Sequence, residues 1–214
     1  MQMLYNRIWL TDVRDTYFQT DPFIFINPNV PSFSVFTGVE SMSIKQCGWN
    51  SGWVKDCFAG NVLDQIGGEN IICSGVSVGT TDIVLKYIEM MRNILMGLHK
   101  AYGLDNKFPT CERNGVDQGV HNVLVHTRKI PKMKKWDSTG FVANMQAKLA
   151  TVTKDFQVLN SKGERYAVVH QYDRFPDLQK YLFGQVSTSI MCLAHYKPVI
   201  YMHIFWIFCS MWIG

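Results

Sequence analysis

Asp12 and Asp15 stand at the end of a short apolar run, Ile8-Trp9-Leu10, with Arg14 between them. Carboxylate oxygens so spaced suit a hard divalent cation, Mg²⁺ or Mn²⁺, and the arginine can hold a phosphate or pin one carboxylate. An N-cap aspartate with a surface ion pair explains the same residues, because such caps are ordinary helix chemistry. Ser74 and Gly75 follow Ile71-Ile72-Cys73, and small residues there let a ligand approach the backbone. Gly79-Thr80-Thr81-Asp82 then starts a helix whose free N–H groups would face an anion; a plain strand–turn–helix connection is equally open. No Gly-Lys-Ser/Thr is present, so this is not a P-loop. Asp117 and His121 share a helix face and could form an acid–imidazole pair, while the helix dipole alone accounts for an acid in the first turn. His170 and Arg174 lie where the run Tyr166-Ala167-Val168-Val169 gives way to polar residues. A buried, satisfied histidine is the other reading of His170. Arg174 can face diphosphate or pair with Asp173 or Asp177.

Elements must bring these groups together. Ile8-Trp9-Leu10 reads as a buried strand, and in open α/β sheets ligands sit outside the carboxyl ends of strands. Ile24 to Val39 reads as a loop, then a strand bearing Phe33, Val35 and Val39. Trp49, Trp53, Val54 and Phe58, then Val62, Leu63 and Ile66, recur at helical spacing, and the tryptophans are read as core. Asp82 to His99 is the clearest helix, with Ile83, Tyr87, Met91, Ile94, Leu95 and Leu98 on one face and Gly103 as its stop. Val116, Val120, Val123 and Leu124 face inward on another helix, and His126 reads as an incidental surface residue. Lys129 to Asn144 reads as a basic loop. Phe156 to Val169 suits a hairpin turning at Asn160-Ser161-Lys162-Gly163, and Asp177 to Phe183 a short closing helix.

The stretch Asp12-Val13-Arg14-Asp15-Thr16-Tyr17-Phe18-Gln19-Thr20-Asp21-Pro22-Phe23 resembles the metal-site segment of GT-A type nucleotide-diphospho-sugar transferases. The family motif is D-x-D. Counted back from Asp21-Pro22, Asp15 falls on its second aspartate, Val13 fills the first position, and Asp12 is the displaced partner acid. Trp49 to Phe58, the segment around Ser74-Gly75, Asp117-Gln118 at a helix start and Val169-His170-Gln171-Tyr172-Asp173-Arg174 extend the resemblance in family order. It implies a metal site of Asp12, Asp15 and His170 for Mn²⁺ or Mg²⁺, and catalytic contacts from Asp117 and Gln118 to donor sugar or acceptor. Arg14, Ser74, Gly75 and Arg174 would bind the donor. The implied fold is α/β, a partial GT-A-like (Rossmann-like) mixed sheet flanked by helices. The implied activity is metal-dependent transfer of a sugar from a nucleotide-diphosphate donor to a glycan or protein acceptor, in the Golgi or another secretory-pathway membrane. A catalytically inactive fragment or sugar-binding remnant is the alternative. A phosphatase of the haloacid dehalogenase type also begins from acids at a strand end, but its D-x-D-x-T pattern needs an acid where Val13-Arg14 stand.

With 214 residues, 47% of them hydrophobic and 18% charged, the chain can bury a sizeable core and is not disordered. Its net charge of +4 is mild. Lys132, Lys134 and Lys135 form the one local basic run, which excludes the continuous basic stripe of a nucleic-acid binder. Residues 1–197 read as one partial catalytic domain and 198–214 as an apolar aromatic tail, with possible outcomes of a membrane contact through 199–214, a buried element or sequence foreign to the domain. No signal peptide opens the chain, and the early arrival of the metal acids predicts that the first nucleotide-binding strands are missing. Cys47, Cys57, Cys73, Cys111, Cys192 and Cys209 show no C-x-x-C pairing, which argues against zinc. They are buried thiols or disulfides, with Cys57 to Cys73 or Cys47 as one bridge to test.

Overall fold

A computed structural model describes residues 5–105, 107, 111, 113–147 and 150–189; the tail 198–214, Cys192 and Cys209 lie outside the described residues. The strands are β1 (Arg7–Thr11), β2 (Thr16–Phe18), β3 (Phe33–Ser43), β4 (Asn70–Thr80), β5 (Met133–Trp136), β6 (Val142–Asn144), β7 (Thr151–Val152), β8 (Val158–Leu159) and β9 (Val168–His170). The helices are α1 (Gly48–Cys57), α2 (Val62–Ile66), α3 (Thr81–Leu95), α4 (Val116–His126) and α5 (Pro176–Ser189). The architecture is mixed α/β.

β4 is built almost wholly of branched and small residues and is buried on both faces, as suits a central strand. It lies in a sheet of order β1-β4-β3-β5, antiparallel to β1 and β3, with β5 parallel to β3. The strand does not stop at Ser74-Gly75, as the sequence reading expected, but continues to Thr80. The ladder to β3 jumps from Val35↔Ser77 to Phe36↔Cys73, so residues 74–76 form an irregularity inside the strand. The N-terminus of α3 is therefore a strand's length removed from Ser74-Gly75. β1 is a half-buried edge strand rather than a buried one. The second sheet runs β2-β9-β6, with β2 antiparallel and β6 parallel to β9. β5 and β6 both fall within the stretch read as a basic loop.

Helices α1 to α4 close over the first sheet around Phe33, Val54, Ile72, Ile83, Val120 and Leu124. A second core joins the two sheets, where Trp9 meets Phe18 edge-on at 5.7 Å and Phe36 meets Phe141 at 5.0 Å. Such aromatic pairs add about 1 kcal/mol each beyond the area they bury. A third core seats α5, longer than expected, through Leu178 against Tyr166, Val169 and Tyr172. The expected hairpin keeps its turn, with Asn160 N–H donating to Glu164 O at 2.8 Å, Leu159 bridging Arg165 and Tyr166 N–H donating to Val158 O at 3.1 Å, but the return strand then leaves β8 and pairs as β9 in the second sheet. Trp49 is 67% exposed, which corrects its reading as core. Among the described residues no helix is long and apolar enough to cross a membrane.

Candidate metal centre

The chain leaves the first sheet at Thr11 and enters the second at Thr16, so the acidic segment is the crossing between them. Thr11 Oγ1 donates to Thr16 Oγ1 at 2.9 Å, and Asp12 N–H donates to Gly75 O at 2.9 Å. These bonds tighten residues 12–15 into a bend at the sheet junction. In the second sheet, Thr16 and Asn144 both pair with His170. The carboxyl ends of β1, β6 and β9 thus converge on one place, which is where α/β sheets carry ligands.

One ligand atom from each of Asp12, Asp15 and His170 lies within 4.8 Å of the others. His170 Nε2 is 3.3 Å from Asp12 Oδ2 and 3.7 Å from Asp15 Oδ1, although 158 positions separate Asp12 from His170. Asp15 and His170 are buried, whereas the Asp12 side chain is 53% exposed and leaves the site open to solvent on that side. Burial lifts the Asp15 carboxyl above its usual range; His170 works against this, and Asp12 and Asp173 add to it. Burial also opposes charge on His170, but Cys73 and Asp12 outweigh it and keep the imidazole protonated up to about 10.

The other ring nitrogen is committed. Asn144 Nδ2 donates to Thr37 O at 2.9 Å, which turns Oδ1 toward His170 Nδ1, also at 2.9 Å. An amide oxygen only accepts, so Nδ1 carries a hydrogen in either protonation state, and Nε2 is the nitrogen a cation would take, displacing the proton that Nε2 holds toward Asp12. Cys73 Sγ lies 3.4 Å from the same Nδ1. Sequence reasoning missed Asn144. The signal was there, since Asn144 ends Phe141-Val142-Ala143 as His170 ends Val168-Val169, one polar residue closing an apolar run.

Gly75 explains its own identity. A Cβ on it would lie 2.5 Å from Asp12 Oδ2 and 2.5 Å from His170 Cε1, so any larger residue would push both side chains away. The space above Gly75 is thus taken by Asp12 and His170. Behind the site, Gln171 adopts a left-handed conformation (φ 62°) and its N–H donates to Asp15 O at 2.7 Å. Tyr172 donates its hydroxyl to Arg14 O at 3.0 Å. A non-glycine residue held in that region between His170 and Tyr172 is a strained backbone position that its neighbours over-determine.

Asp117 sits in the first turn of α4 and accepts from Ser74 Oγ at 3.2 Å. The residue is exposed, yet protein crowded around its carboxyl lifts it above the usual range, with the Ser74 bond opposing and Asp12 adding. Gln118 is fully occupied: Oε1 accepts from Ser74 N at 2.8 Å, and Nε2 donates to Ile72 O at 2.6 Å and Asn50 Oδ1 at 3.3 Å. With the buried Asn122, which also bonds both backbone groups of Ile72, it satisfies the interrupted strand from the helix side. His121 does not face Asp117; it is buried in the core with Nδ1 at 2.8 Å from Tyr87 Oη, and burial lowers it to about 3. His126 is likewise no surface residue, since its side chain is 2% exposed and bonds Asn70 O and Glu69. Arg14 is 83% exposed and Arg174 51%, and each lies within 4 Å of Asp173.

No family model, curated protein or solved structure matches the chain.

Proposed function

We propose that the chain is a metal-dependent glycosyltransferase moving a sugar from a nucleotide-diphosphate donor to a glycan or protein acceptor. The observation that carries this reading is the meeting of Asp12, Asp15 and His170 over Gly75, from segments far apart in the chain. Two carboxylates and one imidazole fit a cation of the Mn²⁺ or Mg²⁺ kind. Asp12, Asp15 and His170 Nε2 would hold it, with His170 oriented by Asn144. A cation in that position supplies neutralisation of the charge that builds on a departing diphosphate. Arg14 and Arg174, on exposed stems beside Asp173, would exchange that partner for diphosphate oxygens. Asp117, with Ser74 beside it, would orient a hydroxyl of donor sugar or acceptor, while Gln118 acts by holding α4 to β4. The Cys57–Cys111 disulfide supports an oxidising, secretory-pathway compartment for this activity.

Mn²⁺ titration of the purified chain by calorimetry, with and without a nucleotide-diphosphate sugar, tests the proposal. Cation binding is expected to strengthen donor binding, and Asp15→Asn to weaken Mn²⁺ binding by about tenfold or more. Unchanged Mn²⁺ affinity in Asp15→Asn would overturn the assignment. Phosphate release from a simple ester without donor binding would favour the phosphatase reading instead.

A further inference from the structure

Cys57 closes α1 and Cys111 lies on the segment leading to α4; the two form a disulfide across 54 residues, with Cα atoms 5.0 Å apart. This corrects the expected pairing of Cys57 with Cys73 or Cys47, both of which are free thiols. A short 3₁₀ turn, His99–Tyr102, directs His99 at the bridge, with Nε2 3.6 Å from each sulfur. His99 is fully buried, and Phe58 meets its ring edge-on at 5.1 Å. A disulfide gives this nitrogen only weak acceptors, and burying a polar ring without a strong partner costs free energy. The arrangement has a better use.

Cys57, Cys111 and His99 offer two sulfurs and a nitrogen within 4.8 Å of one another. A tetrahedral zinc ion, with bonds of about 2.3 Å to sulfur and about 2.0 Å to nitrogen, sets those ligands about 3.5 Å apart. The nitrogen already stands at that spacing from both sulfurs.

We propose that the dithiol form of this cluster is a binding site for a divalent cation of the zinc class, alternative to the disulfide. A dithiol reductant supplies two electrons and becomes a disulfide, while Cys57 and Cys111 each take a proton as their bond breaks. The cation then displaces both thiol protons to solvent and takes two thiolates and His99 Nε2, leaving a fourth position for water. Cys111 is half-buried, and rotation about its Cα–Cβ bond moves the sulfur from the bonded position while Cys57 stays anchored in α1. The site is separate in chemistry from the Asp12–Asp15–His170 cluster, which has no thiolate ligand.

Co²⁺ is the probe, because thiolate-to-cobalt charge transfer reports sulfur ligation and is silent for a carboxylate–imidazole site. The full chain is reduced with dithiothreitol, desalted without oxygen and titrated. The expected result is a charge-transfer band that saturates at one equivalent and is displaced by Zn²⁺. The band is absent from the oxidised chain, lost in Cys57→Ser and Cys111→Ser, and unchanged in Cys47→Ser and Cys73→Ser. His99→Ala keeps both sulfurs, and so its disulfide; it is expected to bind Co²⁺ at least about tenfold more weakly, since removing a direct ligand costs no less than removing an outer partner. A reduced chain without the band overturns the proposal, as does a band that survives Cys57→Ser or full affinity in folded His99→Ala.

Discussion

Asn144 shows how one side chain sets the chemistry of another. Its Nδ2 bond to Thr37 O leaves Oδ1 facing His170 Nδ1, and that bond decides which imidazole nitrogen is offered to Asp12 and Asp15. Asn144→Leu removes the acceptor and is expected to weaken Mn²⁺ binding by about 10- to 100-fold, the usual effect of losing a ligand's outer partner. Asn144→Asp restores an acceptor and is expected to recover most of the loss, measured by the same titration; a purely structural role would show no such rescue. His121 makes the opposite case, an imidazole kept neutral by burial. Its folded value of about 3 lies below the roughly 6.5 of an unfolded histidine. The unfolded state therefore takes the proton first, and the stability His121 contributes is complete above pH 6.5 and lost as pH falls toward 3. The slope from this one group is at most about 1.4 kcal/mol per pH unit. Urea midpoints between pH 7 and pH 5 are expected to fall more steeply for the native chain than for His121→Gln.

Among the elements, the fit of α1 to α4 matters most to the site, because α4 carries Asp117 and Gln118 to β4. The helices approach closely at Gly119, where a Cβ would lie 2.8 Å from Trp53 Cβ and 3.0 Å from its carbonyl carbon. Trp53 is itself held there by its Nε1 donating to Asn114 O at 3.0 Å. Gly119→Ala must therefore force backbone apart, and a loss of about 1–3 kcal/mol is expected, read as a lowered urea midpoint. The periodicity of α3 and α4 was legible from the sequence: Ile83, Tyr87 and Ile94 are buried on α3, and Val116, Val120, Val123 and Leu124 on α4. The short strands were not. β5 and β6 have only 4 and 3 residues, and such lengths hold together through partners distant in sequence, which no local pattern reveals.

For the molecule as a whole, the Cys57–Cys111 bridge closes a loop of 54 residues that spans β4, α3 and the approach to α4. By loop-closure entropy this bridge is worth up to about 4 kcal/mol, so the reduced, cation-free chain is expected to unfold at clearly lower urea than the oxidised chain. Zn²⁺ should recover part of that loss. The sequence alone determined that the chain folds around a substantial apolar core as a mixed α/β protein, and that acids end its first strand and a histidine ends a late one. Those facts are local, set by hydrophobic spacing and by where polar residues interrupt it. Only the tertiary structure decided which groups meet. Thr16, Asn144 and His170 share a register only because β2 and β6 flank β9, and Cys57, His99 and Cys111 converge only because the end of α1 and the turn after α3 both meet Cys111. Strand order and helix packing bring distant residues into contact, and that information lies in how the elements fill space together.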